Sequence, residues 1–521
     1  MKRDTQSLQT KEFDLVIIGA GVHGACVARD ASLRGMSVAL IDKGDLCGAT
    51  SHNSLKTIHG GIRYLQHLNI ARTWASIREQ RYWLLTAADR VKPLPFMMPT
   101  YGHGLRGPLA MLAGIVLYAI IGLGRNIGLK ARSRIKMGRV VSASQCQKLA
   151  ANVPTQGLSG AAIWDDAQVE DADQTVLEII EHASQYGAVV ANYVEATDFL
   201  VDTNTVTGVK AKDQLNKQTF EIKGRCVVNA TGPWIAEQLG RSSLSKPLAM
   251  QVPLVKSMNI VTKTKLNDHA ISFYSQHNSD SLVGKTKRLY FAVPWKDYSM
   301  FGTTHFPYRE DKVQSKPEQA EIQSFVDEIN EAYPSLRLKL DDVLYCYQGL
   351  TPADAAEDNS SSKRLHESKV IDHAQSENID KLVSIVSIKW TTARRIAEQC
   401  TNIVAQKLAN TQKCLTRHTQ IPTIGLSREL AHLNEDELEQ HCNALIEKTM
   451  PMSLADFLLR RTDDFICDKL NEQQLGTIVE CFSQRFNWSQ ERQLEEIEAL
   501  QNTYLSPTAR TALKNIYKLI L

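Results

Sequence analysis

The sequence predicts an α/β protein in three parts: a Rossmann-like dinucleotide-binding domain, an antiparallel-sheet domain and a C-terminal helical domain. Three observations predict it. A glycine-rich run, Gly19-Ala20-Gly21-Val22-His23-Gly24, follows the apolar stretch Leu15 to Ile18 and leads to a second one, Ser37 to Ile41, tipped by Asp42. That spacing suits a tight turn, a helix N-terminus for a pyrophosphate and a carboxylate for a ribose hydroxyl. Residues 250–350 are then rich in strand-like stretches, and the residues beyond 421 read as helices.

Residues 12–42 read as strand, helix, strand, and Arg72 to Ala88 as an amphipathic helix. Pro93, Pro95 and Pro99 force an extended passage, because proline lacks the N–H and fixes φ. Pro108 to Gly124 carries no charge, and Arg125, Lys130, Arg132, Arg134 and Lys136 follow it. This run is shorter than the ~20 residues that span a bilayer. It is expected to be either a buried core helix or a monotopic contact, with its apolar residues in a lipid surface and the basic ones against anionic headgroups.

Asp171 to Tyr186 carries Val176, Ile179, Ile180 and Ala183 at helical spacing. Val189 to Phe199, Val206 to Ala211 and Phe220 to Val228 read as strands of a hairpin-like insertion. The last leads into Asn229 to Trp234, where Gly232 before Pro233 points to a backbone held close to something. Val252 to Val261, Ala270 to Tyr274, Arg288 to Pro294 and Ser299 to Thr303 read as strands, and Glu318 to Ala332 as a helix on one side of them. Lys381 to Ser387 is a further strand, Lys389 to Leu408 a helix, and Asn410 to Gln420 an interdomain linker. Asn434 to Glu447, Ser453 to Leu470, Gln473 to Phe486 and Ser489 to Leu500 read as helices, with Ser453 and Asp456 as a capping pair and Ser489 as a cap.

At 521 residues the chain is long enough for two or three domains. A formal net charge of +3 is too small to argue for nucleic acid. The ten cysteines form no Cys-x-x-Cys pair, which speaks against iron–sulfur, zinc or a disulfide scaffold, and no metal site is expected. Met1 to Lys11 is polar and runs into a core strand, so the expectation is no secretory signal and a cytoplasmic location.

The chemistry concentrates in residues 49–65, just beyond the second strand. Hydroxyls of Thr50, Ser51 and Ser54 can meet phosphate or ring oxygens, Gly60 and Gly61 permit close approach, and Arg63 can fork onto an anion. His59 reads either as a packing imidazole or as a base near neutral pH.

These motifs together resemble the FAD-dependent glycerol-3-phosphate dehydrogenase family, aerobic type, over nearly the whole chain. The carrying stretches are Gly24 to Ala31, Ala49 to Leu65, Gln168 to Ala172, Asn229 to Trp234, Val293 to Trp295, Gly302 to Thr304, Lys389 to Arg394 and Leu454 to Thr462. The resemblance implies an FAD-binding domain of the glutathione-reductase and D-amino-acid-oxidase kind, built from residues 12–104, 138–249 and 371–409. A hydrophobic and basic membrane-contact or lid segment would occupy 105–137, the substrate domain 250–370 and the helical domain 421–521.

Carried over by position, Gly19, Gly21, Gly24 and Asp42, with Lys43 beside it, would bind the adenosine half of FAD. Thr50, Ser51 and Ser54 would line the path to the flavin, Ala230, Thr231 and Gly232 would pass close to it, and Lys389, Thr391 and Thr392 would sit at its pyrimidine end. The family oxidises C2 of glycerol 3-phosphate by hydride transfer to flavin N5 and passes the electrons to membrane quinone. His59 would then act on the hydroxyl, Arg63 on the anion, and Tyr64 would orient substrate or pack; Lys389 would favour charge on the reduced flavin, hold substrate, or be a surface lysine. The implied partners are a small anionic or polyol substrate and a quinone or other acceptor. A peripheral contact on the inner face of the cytoplasmic membrane and a homodimer are left open.

Several flavin-facing motifs depart from the family. Thr351 replaces one substrate-binding arginine and His366 a second. Lys256-Ser257-Met258-Asn259 stands for Lys-Gly-Ser-His, His305 for an aspartate, Ser387-Ile388 for Gly-Gly and Ala393 for a tyrosine. Losing a charged partner from a buried pair costs about 2–5 kcal/mol. Two other readings follow: an oxidoreductase for a different, non-phosphorylated hydroxy or amino substrate, and a non-catalytic flavin-binding protein. Lys363, Arg364 and Lys369 are the basic residues placed to compensate.

Overall fold

The computed structural model describes residues 1–104, 107–240, 252–278, 287–308, 317–354, 363–364, 368–503 and 505–521. Leu15–Ile18 is wholly apolar and wholly buried, as a strand covered on both faces must be. It lies within a six-stranded sheet ordered Lys369–Asp372, Leu382–Val386, Val227–Asn229, Leu15–Ile18, Val38–Ile41 and Val189–Ala191. Pairing is parallel except at the Lys369–Asp372 edge. Successive side chains take opposite faces. Leu15 and Ile17 therefore pack against the helices Val22–Leu33, Ala172–Gln185 and Ala393–Lys407, while Val16 and Ile18 pack against a second, four-stranded sheet.

That second sheet joins Glu12–Phe13, Thr219–Gly224, Thr205–Asp213 and Val194–Asp202. The expected hairpin-like insertion is thus split, because Val189–Ala191 and Val227–Asn229 are short enough and apolar enough to enter the parallel sheet instead. The largest sheet is mainly antiparallel and centres on Leu254–Thr262, Tyr298–Pro307, Lys287–Trp295 and Ala270–Asn278. It also takes in strands from earlier in the chain, Thr57–Ile58, Val91–Tyr101 and Leu158–Val169, and the late strand Val343–Asp354. Helix Gln319–Ala332 covers part of it with Ile322, Phe325, Val326 and Ile329.

Helix Pro108–Ile121 buries only Ile115 and Tyr118. Leu109, Leu112, Val116 and Ile120 are exposed, which rules out the buried core helix among the two expectations. The expected linker 410–420 is held down: Thr416 is buried, Arg417 pairs with Glu398 at 2.6 Å, and Gln420 donates to the Leu85 carbonyl at 2.9 Å. Helix Ala393–Lys407 starts four residues later than expected, leaving Lys389 to Thr392 in the preceding loop.

The C-terminal helices are Glu435–Thr449, Leu454–Arg460, Glu472–Phe486, Gln490–Gln501 and Pro507–Ile520. Ser453 and Asp456 form the expected capping box and Ser489 caps its helix. The helix expected over Ser453 to Leu470 stops at Arg460. Beyond it the chain turns so that Arg461 reaches Asp45 and the Asp464 carboxylate accepts the Ala431 N–H at 2.9 Å.

Candidate functional site

The carboxyl ends of Leu15–Ile18 and Val38–Ile41 open into a cavity of about 840 Å³ that continues under the largest sheet. This lies within the range of roughly 300–1,000 Å³ usual for ligand sites. Gly19, Gly21, Asp42, Lys43, Thr50, Ser51, Ser54, His59, Arg63, Tyr64, Ala230, Thr231, Gly232, Thr351, Lys389 and Thr391 all line it. Gly24 lies behind the wall in its helix, Thr392 caps helix Ala393–Lys407, and His366 lies outside the described residues.

At the strand end, Gly19 has φ +101°, and a Cβ there would stand 2.6 Å from the Ala230 carbonyl oxygen. A Cβ on Gly24 would overlap the Gly19 carbonyl. Only glycine keeps the turn this tight and the helix this close. Asp42 accepts the N–H groups of Ala20 at 2.7 Å and Gly44 at 2.9 Å, and burial pushes its pKa up to about 6. Ser51 accepts the Val22 N–H at 3.0 Å, Thr50 donates to the Leu350 carbonyl at 2.7 Å, and Lys43 lies 4.3 Å over the Trp234 ring. A glycine turn, a helix N-terminus and a strand-end carboxylate fit the pyrophosphate and ribose of FAD.

At the other end two distant segments converge. The Lys389 ammonium donates to the Tyr64 hydroxyl and lies 4.3 Å over the same ring, whose face also carries Arg72 at 4.1 Å. The His59 ring meets Tyr64 edge-on at 5.9 Å, and the His59 backbone N–H donates to Thr391 Oγ1 at 3.3 Å. Thr391 is anchored in turn by Trp83, whose indole N–H donates to its carbonyl at 2.9 Å. Arg63 lines the cavity with an exposed side chain, and partial desolvation there lowers its pKa, with Tyr274 and Tyr64 opposing. Among the described residues Arg63 has no carboxylate partner.

Other residues of the site were given no role from the sequence. Asp166 lies under Gly60, accepting its N–H at 2.5 Å, the Gln80 amide at 2.9 Å and the Trp164 indole at 3.0 Å. Burial raises its pKa to about 6. Ser257, Asn259 and His305 line the sheet wall, and Arg72, Asp456 and Arg460 complete it. The helical tail therefore contributes two side chains, Asp456 and Arg460, to the cavity. For Ser257 and His305 the available signal was their place in motifs that depart from the family; for Asp166 there was none beyond its closeness to Gln168.

The FAD dependent oxidoreductase family model matches residues 14–379. A glycerol-3-phosphate dehydrogenase of Synechocystis sp. is 30% identical over 414 residues, spanning 78% of this chain and 72% of its own. An aerobic glycerol-3-phosphate dehydrogenase of Staphylococcus saprophyticus is 28% identical over 443 residues, spanning 84% and 76%. The X-ray structure of the glycerol-3-phosphate dehydrogenase from Bacillus halodurans complexed with FAD matches the fold with a TM-score of 0.71 at 20% identity, over 98% of this chain and 96% of that one.

Proposed function

The chain belongs to the FAD-dependent oxidoreductases, within the glycerol-3-phosphate dehydrogenase family, and from that premise we propose that it oxidises the secondary alcohol of a small anionic substrate and delivers the electrons to a quinone. Bound FAD supplies the two-electron redox chemistry; protein supplies binding, orientation and field. Gly19 and Gly21 admit the pyrophosphate to the N-terminus of helix Val22–Leu33, and Asp42, beside Lys43, accepts a ribose hydroxyl. Thr50, Ser51, Ser54, Ala230, Thr231 and Gly232 line the way to the ring, with Thr391 and Thr392 at its far end.

His59 takes the proton of the substrate hydroxyl, its loop pinned by Thr391 on one side and by Asp166 through Gly60 on the other. Tyr64 and Lys389 orient the reacting carbon, and the Lys389 charge also steadies negative charge left in the site. Arg63 binds the anion. The observation that carries this reading is a guanidinium with no acidic partner among the described residues, lining the same cavity as His59, Tyr64 and Lys389.

A peripheral membrane contact on the inner face of the cytoplasmic membrane is supported by the exposed apolar stripe of helix Pro108–Ile121 and the exposed Lys130, Arg132, Arg134 and Lys136 beyond it. Among the described residues no helix is long and apolar enough to cross a membrane. Met111 of the same helix packs against the cluster of Phe96 and Trp164 that reaches the cavity, which supports quinone approach from this side.

Anaerobic mixing of holoenzyme with small hydroxylated anions tests the reading through bleaching of the oxidised flavin. Arg63→Met is expected to weaken substrate binding by about 2–5 kcal/mol with FAD retained. Bleaching by none of them, with dithionite still reducing the flavin, would mean a flavin-binding protein without this turnover.

A further inference from the structure

Gly60 stands between His59 and the left-handed Gly61, and three contacts close on this short stretch. The His59 N–H donates to Thr391 Oγ1 at 3.3 Å, and the Gly60 N–H donates to Asp166 Oδ1 at 2.5 Å. The third contact comes from helix Pro108–Ile121. A Cβ on Gly60 would stand 1.8 Å from the Tyr118 hydroxyl oxygen and 3.0 Å from its Cζ, so the tip of the phenol rests against the Gly60 Cα. Gly60 is not in the left-handed region, so space and not backbone conformation requires glycine there.

Tyr118 is itself firmly held. It is 3% exposed and clusters with Leu65 and Ile77, while Arg125 lies 4.4 Å over its ring and donates to its carbonyl at 2.7 Å. Three residues earlier the same helix abuts the strand region, where a Cβ on Gly138 would come within 2.9 Å of Ile115 Cγ2. Ile62, Leu117 and Ile121 border the Tyr118 cluster, so the helix also backs the turn Ile62–His67 that carries Arg63 and Tyr64. Asp166 is equally fixed by the Gln80 amide and the Trp164 indole. A packed interior of this kind does not yield to an added methyl without moving something. Burial pushes the Tyr118 phenol up, so its tip stays neutral and brings no charge beside Asp166.

Two N–H anchors on consecutive residues pin two points of the backbone and leave it free to swing about the line between them. A stop against the Gly60 Cα removes that swing. We infer that Tyr118 is a positioning residue for the oxidation: by pressing on Gly60 it fixes the backbone from which the His59 ring reaches the substrate hydroxyl. This rests on the proposed reading of His59 as the base. Tyr118 does not line the cavity, so it acts through the loop and not on the ligand. The helix with the exposed apolar stripe thus serves the site with its inner face, whatever its outer face meets.

The FAD-loaded protein is mixed anaerobically with glycerol 3-phosphate, glycerate or lactate, and flavin bleaching gives a limiting rate and a half-saturating concentration for whichever reduces the wild type fastest. Gly60→Ala is expected to lower the limiting rate about a hundredfold, the cost of an ångström-scale misplacement, and to move half-saturation far less. Tyr118→Phe keeps the ring, loses only the outermost atom of the stop, and should cost no more than about threefold. In the double variant the new methyl meets a ring carbon at 3.0 Å in place of an oxygen at 1.8 Å. At least about tenfold of the lost rate should therefore return, a coupling expected only of groups in contact. Tyr118→Leu removes the stop without touching Gly60 and should lose about tenfold in limiting rate. FAD content and melting temperature show which variants are folded, and the rescue and Tyr118→Leu each decide alone. If Tyr118→Leu bleaches at the wild-type rate, or the double variant is no faster than Gly60→Ala, Tyr118 has no positioning role and the proposed oxidation stands. If none of the probes bleaches the wild type while dithionite does, the oxidation falls and the positioning role falls with it.

Discussion

Asp42 closes the second strand of the nucleotide-binding sheet with its carboxylate turned back on the glycine loop, held by the N–H groups of Ala20 and Gly44. Burial raises its pKa to about 6, so its charge is lost as pH falls through that value. In the proposed site a ribose hydroxyl donates to the ionised form. FAD affinity is therefore expected to be full above pH 6 and to weaken below it, as titration of the apoprotein by flavin fluorescence quenching would read. Asp42→Asn should flatten that dependence and cost about 1.5–3 kcal/mol of binding at neutral pH, the worth of a hydrogen bond to a charged group. An unchanged Kd in the variant would remove Asp42 from the ribose site. Residues of this kind were legible from spacing alone, because Gly19 and Asp42 belong to one local strand–helix–strand unit. Ser257 and His305 were not: they lie 48 residues apart, and their meaning comes from strand register. The same holds for Asp166, whose role under Gly60 depends on a contact across 106 residues.

Helix Pro108–Ile121 shows how much an element can be read and where reading stops. Its uncharged run and the basic residues after it were plain in the sequence, but only the fold decides which side is covered. Ile115 and Tyr118 face inward, while Leu109 at 83% and Ile120 at 57% exposure remain outside. Leu68, Ile70 and Trp74, from the neighbouring segment, add to the exposed apolar surface. A stripe of this kind on a helix too short to span is suited to lie in an interface. Replacing Leu109, Leu112, Val116 and Ile120 by serine is expected to abolish co-sedimentation with vesicles containing anionic lipid while FAD content and flavin bleaching persist. Retained sedimentation in the quadruple variant would assign the surface to something other than lipid. Elsewhere, the capped helix starts at Ser453 and Ser489 were legible, although the first of these helices ends at Arg460 and not at the expected Leu470. The long strands Leu158–Val169 and Val343–Asp354 were not, since burial on both faces or a change of environment along the strand erases the alternating pattern.

The three parts of the molecule are joined by buried charge rather than by apolar contact alone. Asp45, three residues after Asp42 and on the cavity wall, receives Arg460 at 2.6 Å and Arg461 at 2.8 Å from the C-terminal helices. Arg428 of the same region reaches Asp173 at 2.8 Å and Asp463 at 3.0 Å, and Lys296 of the largest sheet meets Asp463 at 2.5 Å. Burial works to raise the Asp45 pKa, but Arg461 and Arg460 outweigh it and hold it below the ordinary 3.8. Its folded pKa being depressed, this pairing stabilises the fold above pH 3.8 and is lost as pH falls through the lowered value. Removing one partner of a buried pair leaves the other charge uncompensated and costs about 3–5 kcal/mol. Asp45→Asn leaves Arg461 without its carboxylate partner and Arg460 with Asp456 alone, beside the glycine-loop end of the cavity. The variant is expected to melt several degrees lower, with flavin release and loss of helical signal in a single coincident transition, because tail and cofactor site share the broken contact. Thermal scans that follow flavin fluorescence and far-UV circular dichroism together test this. Early loss of part of the helical signal with flavin still bound would show that the tail unfolds independently, and the clamp would then contribute to the tail's own stability without coupling it to the cofactor.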